Sequence, residues 1–201
     1  MRRLLRISIN GGSPQTVMGT RSVGEYISFG CSTGPSSPCW LEEQDEKARQ
    51  VFTAFESLTG RGKVLLTLDK DPSQELTGVS LSLDGSTFAL ARTKAKECLV
   101  SFMSTRDSGR RDIALGDWES TSGIVWARDG KGVYVSSLTN NDGLTTGTSG
   151  IIYVDLKSTV RTLWQHRTAA DHAWTVPSPD SRYLAIGEIV YNRTVWALDG
   201  F

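Results

Sequence analysis

The chain's two histidines, His166 and His172, stand six positions apart in "HRTAADH". That spacing puts them neither on one helical face at i, i+4 nor in the H-E-x-x-H pattern of a zinc peptidase. A serine nucleophile needs a sharp G-x-S-x-G elbow, and none occurs. Ser149 in "GTSG" is the nearest look-alike, within a Gly/Thr-rich loop. "LTGRGKV" (58–64) resembles a phosphate-binding loop, but Ser57 stands where the first glycine belongs and Val64 where Ser or Thr would meet magnesium. It reads as a hairpin tip. "TNNDGLTTGTSG" (139–150) offers oxygens to a hard cation, yet Asp142 is its only charge and the EF-hand spacing is missing, so it reads as an ordinary loop. "NRT" (192–194) fits a glycosylation acceptor by chance, inside a strand hairpin. The expectation is a chain without catalytic residues, cofactor or metal.

Cys31 and Cys39 bracket the Gly/Pro/Ser-rich "CSTGPSSPC", while Cys98 stands alone. If the loop closes a hairpin, the first two face each other and can form a disulfide, which matters in an oxidising compartment. Two buried thiols are the other reading. Zinc lacks further ligands, since no C-x-x-C or histidine pair is present.

The bulk numbers exclude several partners. Lys plus Arg and Asp plus Glu are 22 each, so no excess of basic residues supports nucleic-acid binding. Arg2, Arg3 and Arg6, with Arg106, Arg110 and Arg111, form the densest basic spots and read as solvated strand ends. No run approaches the roughly 18 apolar residues that span a bilayer, and "MRRLLRISINGG" lacks the apolar core of a signal peptide. At 38% hydrophobic residues, the 201-residue chain has enough for one domain with a sizeable core.

An internal repeat indicates what would position these residues. "LSLDGSTFALA" (81–91), "VWARDGKGVYVSS" (125–137) and "VPSPDSRYLAIGE" (176–188) align without gaps on Asp84, Asp129 and Asp180, which are 45 and 51 positions apart. This is the period of a four-stranded propeller blade. Each Asp caps a turn by accepting a backbone N–H, and Gly85 and Gly130 tolerate positive φ. Ser181 replaces the glycine in the third copy, so that turn is expected to lack free access to the left-handed region. Alternating apolar residues follow each turn, as in a strand. These five turn residues (Asp84, Gly85, Asp129, Gly130 and Asp180) are structural.

Hairpins follow the repeats, in "CLVSFMSTRDSGRRDIAL" (98–115) and "IIYVDLKSTVRTLWQ" (151–165). "VFTAFESLTGRGKVLLTL" (51–68) and "LLRISINGGSPQTV" (4–17) match them, and "TVWALDGF" at the end matches their first half. "LEEQDEKARQVF" (41–52) favours helix by composition, but only Ala48 is apolar between Glu42 and Gln50, so a charged hairpin tip fits better. The expected fold is all-β: a propeller of four-stranded antiparallel blades, about four present, three complete and partial ones at both ends. It is either a piece of a larger propeller or a ring closed by pairing its own ends. Units run roughly 1–20, 21–70, 71–116, 117–166 and 167–201. Trp126, Trp164 and Trp196 fall in strands and are expected between blades. Trp118 and Trp174, placed before their strands, are read as core packing by default, with a binding face at one end of the propeller as the alternative.

The aligned segments and the ending "NRTVWALDGF" resemble TolB-type, WD-repeat-like bacterial propellers. As a whole, the chain resembles the C-terminal propeller portion of acidobacterial serine/threonine kinases and winged-helix regulators. The resemblance implies a non-enzymatic module for protein interaction or ligand sensing, with its partner or ligand unspecified. It also implies six to eight blades, so the rest of a propeller or a second copy would complete this one. No kinase residue carries over, because the Gly-rich loop, H-R-D and D-F-G are all missing. Receptor kinases place such a propeller outside the cytoplasmic membrane, which a Cys31–Cys39 bridge would suit. The alternative is the accessory propeller of a prolyl-oligopeptidase-type serine peptidase.

Overall fold

A computed structural model describes residues 2–20, 28–32, 38–56, 58–139, 147–168 and 170–190. Asp142, the 192–194 acceptor and Trp196 lie outside these residues, as do the side chain of His172 and the final "TVWALDGF". Every regular element is a strand, and each sheet is an antiparallel meander in chain order. A two-stranded hairpin comes first, β1 (Arg3–Arg6) with β2 (Gln15–Gly19). The first four-stranded sheet is β3 (Ser28–Cys31), β4 (Cys39–Gln44), β5 (Gln50–Glu56) and β6 (Gly60–Leu68). The second is β7 (Glu75–Leu81), β8 (Thr87–Lys94), β9 (Glu97–Ser104) and β10 (Arg110–Ala114). The third is β11 (Ser120–Trp126), β12 (Gly132–Thr139), β13 (Gly147–Asp155) and β14 (Val160–Thr168). A last hairpin joins β15 (Ala170–Pro177) to β16 (Leu184–Val190). The described residues therefore form three whole blades with a half-blade on either side, and 41–52 is strand–turn–strand.

The sheets stack face to face, so strands in the middle sheets are apolar on both sides. Phe88 and Leu90 of β8 face the first sheet and meet Trp40, Phe52 and Leu68. Ala89 and Ala91, on the opposite face of β8, join Val100, Phe102, Trp126 and Val133 in the core between the second and third sheets. Polar ties cross each joint. The Ser32 hydroxyl donates to Leu81 O (2.8 Å), Trp126 Nε1–H to Ser80 O (3.1 Å) and the Ser122 hydroxyl to Ala173 O (2.7 Å). At the first hairpin, Met18 packs on Leu41 and Phe55. Arg61 locks that joint, donating to the buried Glu43 carboxylate (3.0 Å) and to Gly19 O (3.1 Å).

The Asp turns show how sequence sets the blade. Asp84 Oδ1 accepts from Ser86 N–H (3.1 Å) and from the Ser82 and Ser86 hydroxyls, while Gly85 sits at φ 70°. Asp129 takes Lys131 N–H (3.0 Å) and Asp180 takes Arg182 N–H (3.2 Å), with Gly130 at φ 69°. Contrary to expectation, Ser181 enters the left-handed region too, at φ 60°. Its N–H donates to Ser178 O (3.0 Å), and the Ser178 hydroxyl donates to Asp180 (2.6 Å). This network holds a conformation that serine alone disfavours.

These hydrogen bonds lower the pKa of Asp84 to about 2, with the Ser82 hydroxyl the largest cause. A depressed folded-state value means stability that is full above the ordinary value of 3.8 and is lost as pH falls through about 2. The carboxylate faces water, so its contribution is small, under about 1 kcal/mol. Asp84→Asn is expected to lower the neutral-pH melting temperature slightly and to flatten the stability loss between pH 4 and 2. Melting curves at stepped pH check this. An unchanged acid limb would assign the effect to other groups.

Candidate functional site

The sequence-level candidates scatter over the fold. The Asp turns share one end of the stack, where Thr105 N–H donates to Ser86 O and Leu156 N–H to Lys131 O. Cys31 and Cys39, directly paired across β3 and β4, are joined by a disulfide at the place where the later repeats carry an Asp turn. Cys98 is a free, buried thiol, and burial raises its pKa.

Trp118 takes the core placement. It is only 8% exposed and belongs to the core between the second and third sheets, so it presents no binding face. Its ring lies over Gly150, where an added Cβ would come within 2.1 Å of it. A glycine distant in sequence thus buries a tryptophan of the loop between β10 and β11.

Trp174 lies within β15 rather than before it, and it is 48% exposed. Ala173 and Thr175 turn inward, while Trp174 and Val176 (55% exposed) face out, with Ile189 of β16 beside them. The repeat explains why this face is unusual. Six residues before each Asp stand Gly78, Gly123 and Trp174. At Gly78 an added Cβ would meet the backbone N of Ile124 at 3.0 Å, so that glycine lets β11 lie close on β7. At the third position the indole instead covers its cross-strand partner Gly187, where a Cβ would lie 2.2 Å from the ring. A sheet seated here as β11 sits on β7 would collide with the indole. The alignment of these three positions carried the signal.

The nearest approach to a catalytic set joins the third sheet to the last hairpin. Glu188 accepts from the buried Ser149 hydroxyl through one oxygen, and His166 Nδ1 lies 2.9 Å from the other. In an acyl-transfer triad, the imidazole stands between carboxylate and serine and takes the serine proton. Here the carboxylate stands in the middle and the hydroxyl is sealed in, so the three residues form a clamp. His172 stands opposite Ile189 in the backbone register. Among the described residues, no group of three or more His, Cys, Asp or Glu is placed to hold a metal.

A concave feature lies at the end opposite the Asp turns, between the first and second sheets. Gln44 and Gln50 bound it on one side, Asp71 and Gln74 from the loop before β7 on the other, and Arg92 forms its floor. Sequence reasoning missed Arg92, because β8 is buried on both faces and alternation cannot single out one residue there.

No protein-family model matches the chain, and no curated protein is similar to it in sequence. Solved structures do share its shape. TolB from Acinetobacter baumannii superposes with a TM-score of 0.63 at 17% identity, over 92% of this chain and 42% of that one. A protein described as TolB from Agrobacterium tumefaciens gives 0.65 at 18% identity, over 94% and 63%. A prolyl endopeptidase gives 0.55 at 20%, over 82% of this chain and 26% of its own. The chain thus spans less than two thirds of each of these structures. At such identities the likeness concerns the fold, and the fold is a TolB-like β-propeller, of which three blades and two half-blades are seen.

Proposed function

We propose that this chain works by binding rather than catalysis: a non-enzymatic propeller module for protein interaction or sensing, attached to a bacterial signalling protein and working outside the cytoplasm. The observation that carries this reading is the face of β15 and β16 that no other described residue covers. Three apolar side chains, Trp174, Val176 and Ile189, lie exposed together on it. An indole stands where Gly78 of the second sheet admits the next sheet. The occupant proposed is a partner protein with an apolar pocket for that indole, since half-exposed tryptophans are frequent anchors of interfaces. The disulfide supports the extracytoplasmic setting.

Affinity capture from the native cell tests this reading. Wild type should retain a partner that Trp174→Ala, folded by circular dichroism, retains roughly tenfold less or worse. Equal retention, or no partner with either protein, counts against it. The likeness to a prolyl endopeptidase favours a second reading, an accessory propeller guarding a hydrolase. A G-x-S-x-G domain elsewhere in the same gene would favour it, and a kinase or winged-helix domain the first.

A further inference from the structure

The cleft floored by Arg92 has the chemistry of a small zwitterion site. The Arg92 side chain is buried (8% exposed), and a buried guanidinium ordinarily requires a close anion. Its contacts are weak: Nη1 reaches Gln74 Oε1 at 3.4 Å and Nη2 reaches Met103 Sδ at 3.7 Å. The nearby carboxylates are committed elsewhere. Asp112 is held by Arg110 through three hydrogen bonds of 2.7 to 3.0 Å. Asp71 takes Ser73 N–H, the Ser73 hydroxyl and the Gln74 amide at 2.6 to 2.9 Å. Among the described residues, no carboxylate forms an ion pair with Arg92, and most of its five N–H donors lack a strong acceptor.

The rim has the opposite sign. Asp69, Asp71 and Glu75 are exposed around the mouth, against a single Lys70. A dianion such as phosphate would meet repulsion on entry, whereas an ammonium would be drawn to the mouth. Leu68, Leu76 and Pro72 add apolar lining, and the cleft measures about 420 Å³. We infer that this cleft binds a free α-amino acid with a small apolar side chain, its carboxylate on Arg92 and its ammonium at the acidic rim. A guanidinium fork accepts a carboxylate through two parallel hydrogen bonds. The site is separate from the Trp174 face, and neither depends on the other.

Calorimetry on the whole chain at low salt tests this, with L-valine as the probe. Isovalerate, which lacks the ammonium, and isobutylamine, which lacks the carboxylate, serve as comparisons. Wild type should bind L-valine saturably with a Kd on the order of 1 mM or tighter, isovalerate more weakly and isobutylamine not at all. Arg92→Met removes the fork and a buried charge, a change that cores tolerate; it should bind L-valine roughly tenfold more weakly or worse. Arg92→Lys keeps the charge without the fork and should fall between them. Arg182→Met, at the Asp-turn end, should match wild type. No saturable binding by wild type, binding by isobutylamine equal to that of L-valine, or equal affinity in both Arg92 variants and wild type overturns the assignment.

Discussion

Phe88→Ala is expected to destabilise the protein by about 3–5 kcal/mol, the range for truncating a fully buried aromatic. Phe88 is 0% exposed, and its ring centroid lies 5.1 Å from that of Phe52 and 6.2 Å from that of Trp40. The three rings come from two sheets, so truncation opens a void at the joint itself. Little nearby can fill it, because Leu81 and Leu90 are already fixed in the same cluster. For a chain of this length each kcal/mol lowers the melting temperature by roughly 2–4 °C, giving a drop of about 6–20 °C. Phe29→Ala is the matched control; that ring is largely exposed, and its loss should stay within about 0.5 kcal/mol. Thermal melts of the two variants decide the matter. Equal effects would mean that the first and second sheets are not joined through Phe88.

Removing the Cys31–Cys39 bridge has the next largest expected effect. The bond closes a short loop, with a sequence separation of 8, and the chain-entropy relation gives about 2.5 kcal/mol for a loop of that size. The later repeats hold the equivalent corner with an Asp turn. A Cys31→Ser/Cys39→Ser double variant should melt roughly 5–10 °C below wild type. Dithiothreitol should lower the wild-type midpoint by a similar amount and leave the double variant unmoved. Cys98 does not confuse the test, being buried and apart. A wild-type melt that ignores dithiothreitol would contradict the bridge.

The architecture was legible because its markers are local. Asp84, Asp129 and Asp180 announce a turn through chemistry contained within four or five residues, and the hairpins after them carry their own polar tips. What could not be read depends on contacts between strands. Whether Trp118 packs in the core or faces the end could not be read, because Gly150, which receives its ring, lies in another strand. Arg92 was hidden within a strand buried on both faces, where hydrophobic alternation fails. Ser181 was expected to avoid the left-handed region, yet the Ser178–Asp180 network stabilises that turn. Trp174 lies between these cases. Its exposure needed the structure, whereas its departure from Gly78 and Gly123 was present in the aligned repeats.

The claim that binding occurs on the Trp174 face of the last hairpin is tested most directly by photo-crosslinking in the native cell. A photoreactive amino acid at position 176 would sit on that face, beside Trp174, and one at position 131 would sit at the Asp-turn end. The expected result is a cross-linked partner protein from position 176, absent from position 131 and lost when Trp174→Ala is added. Cross-links from 131 alone, from neither position, or from 176 only to another copy of this chain would contradict it.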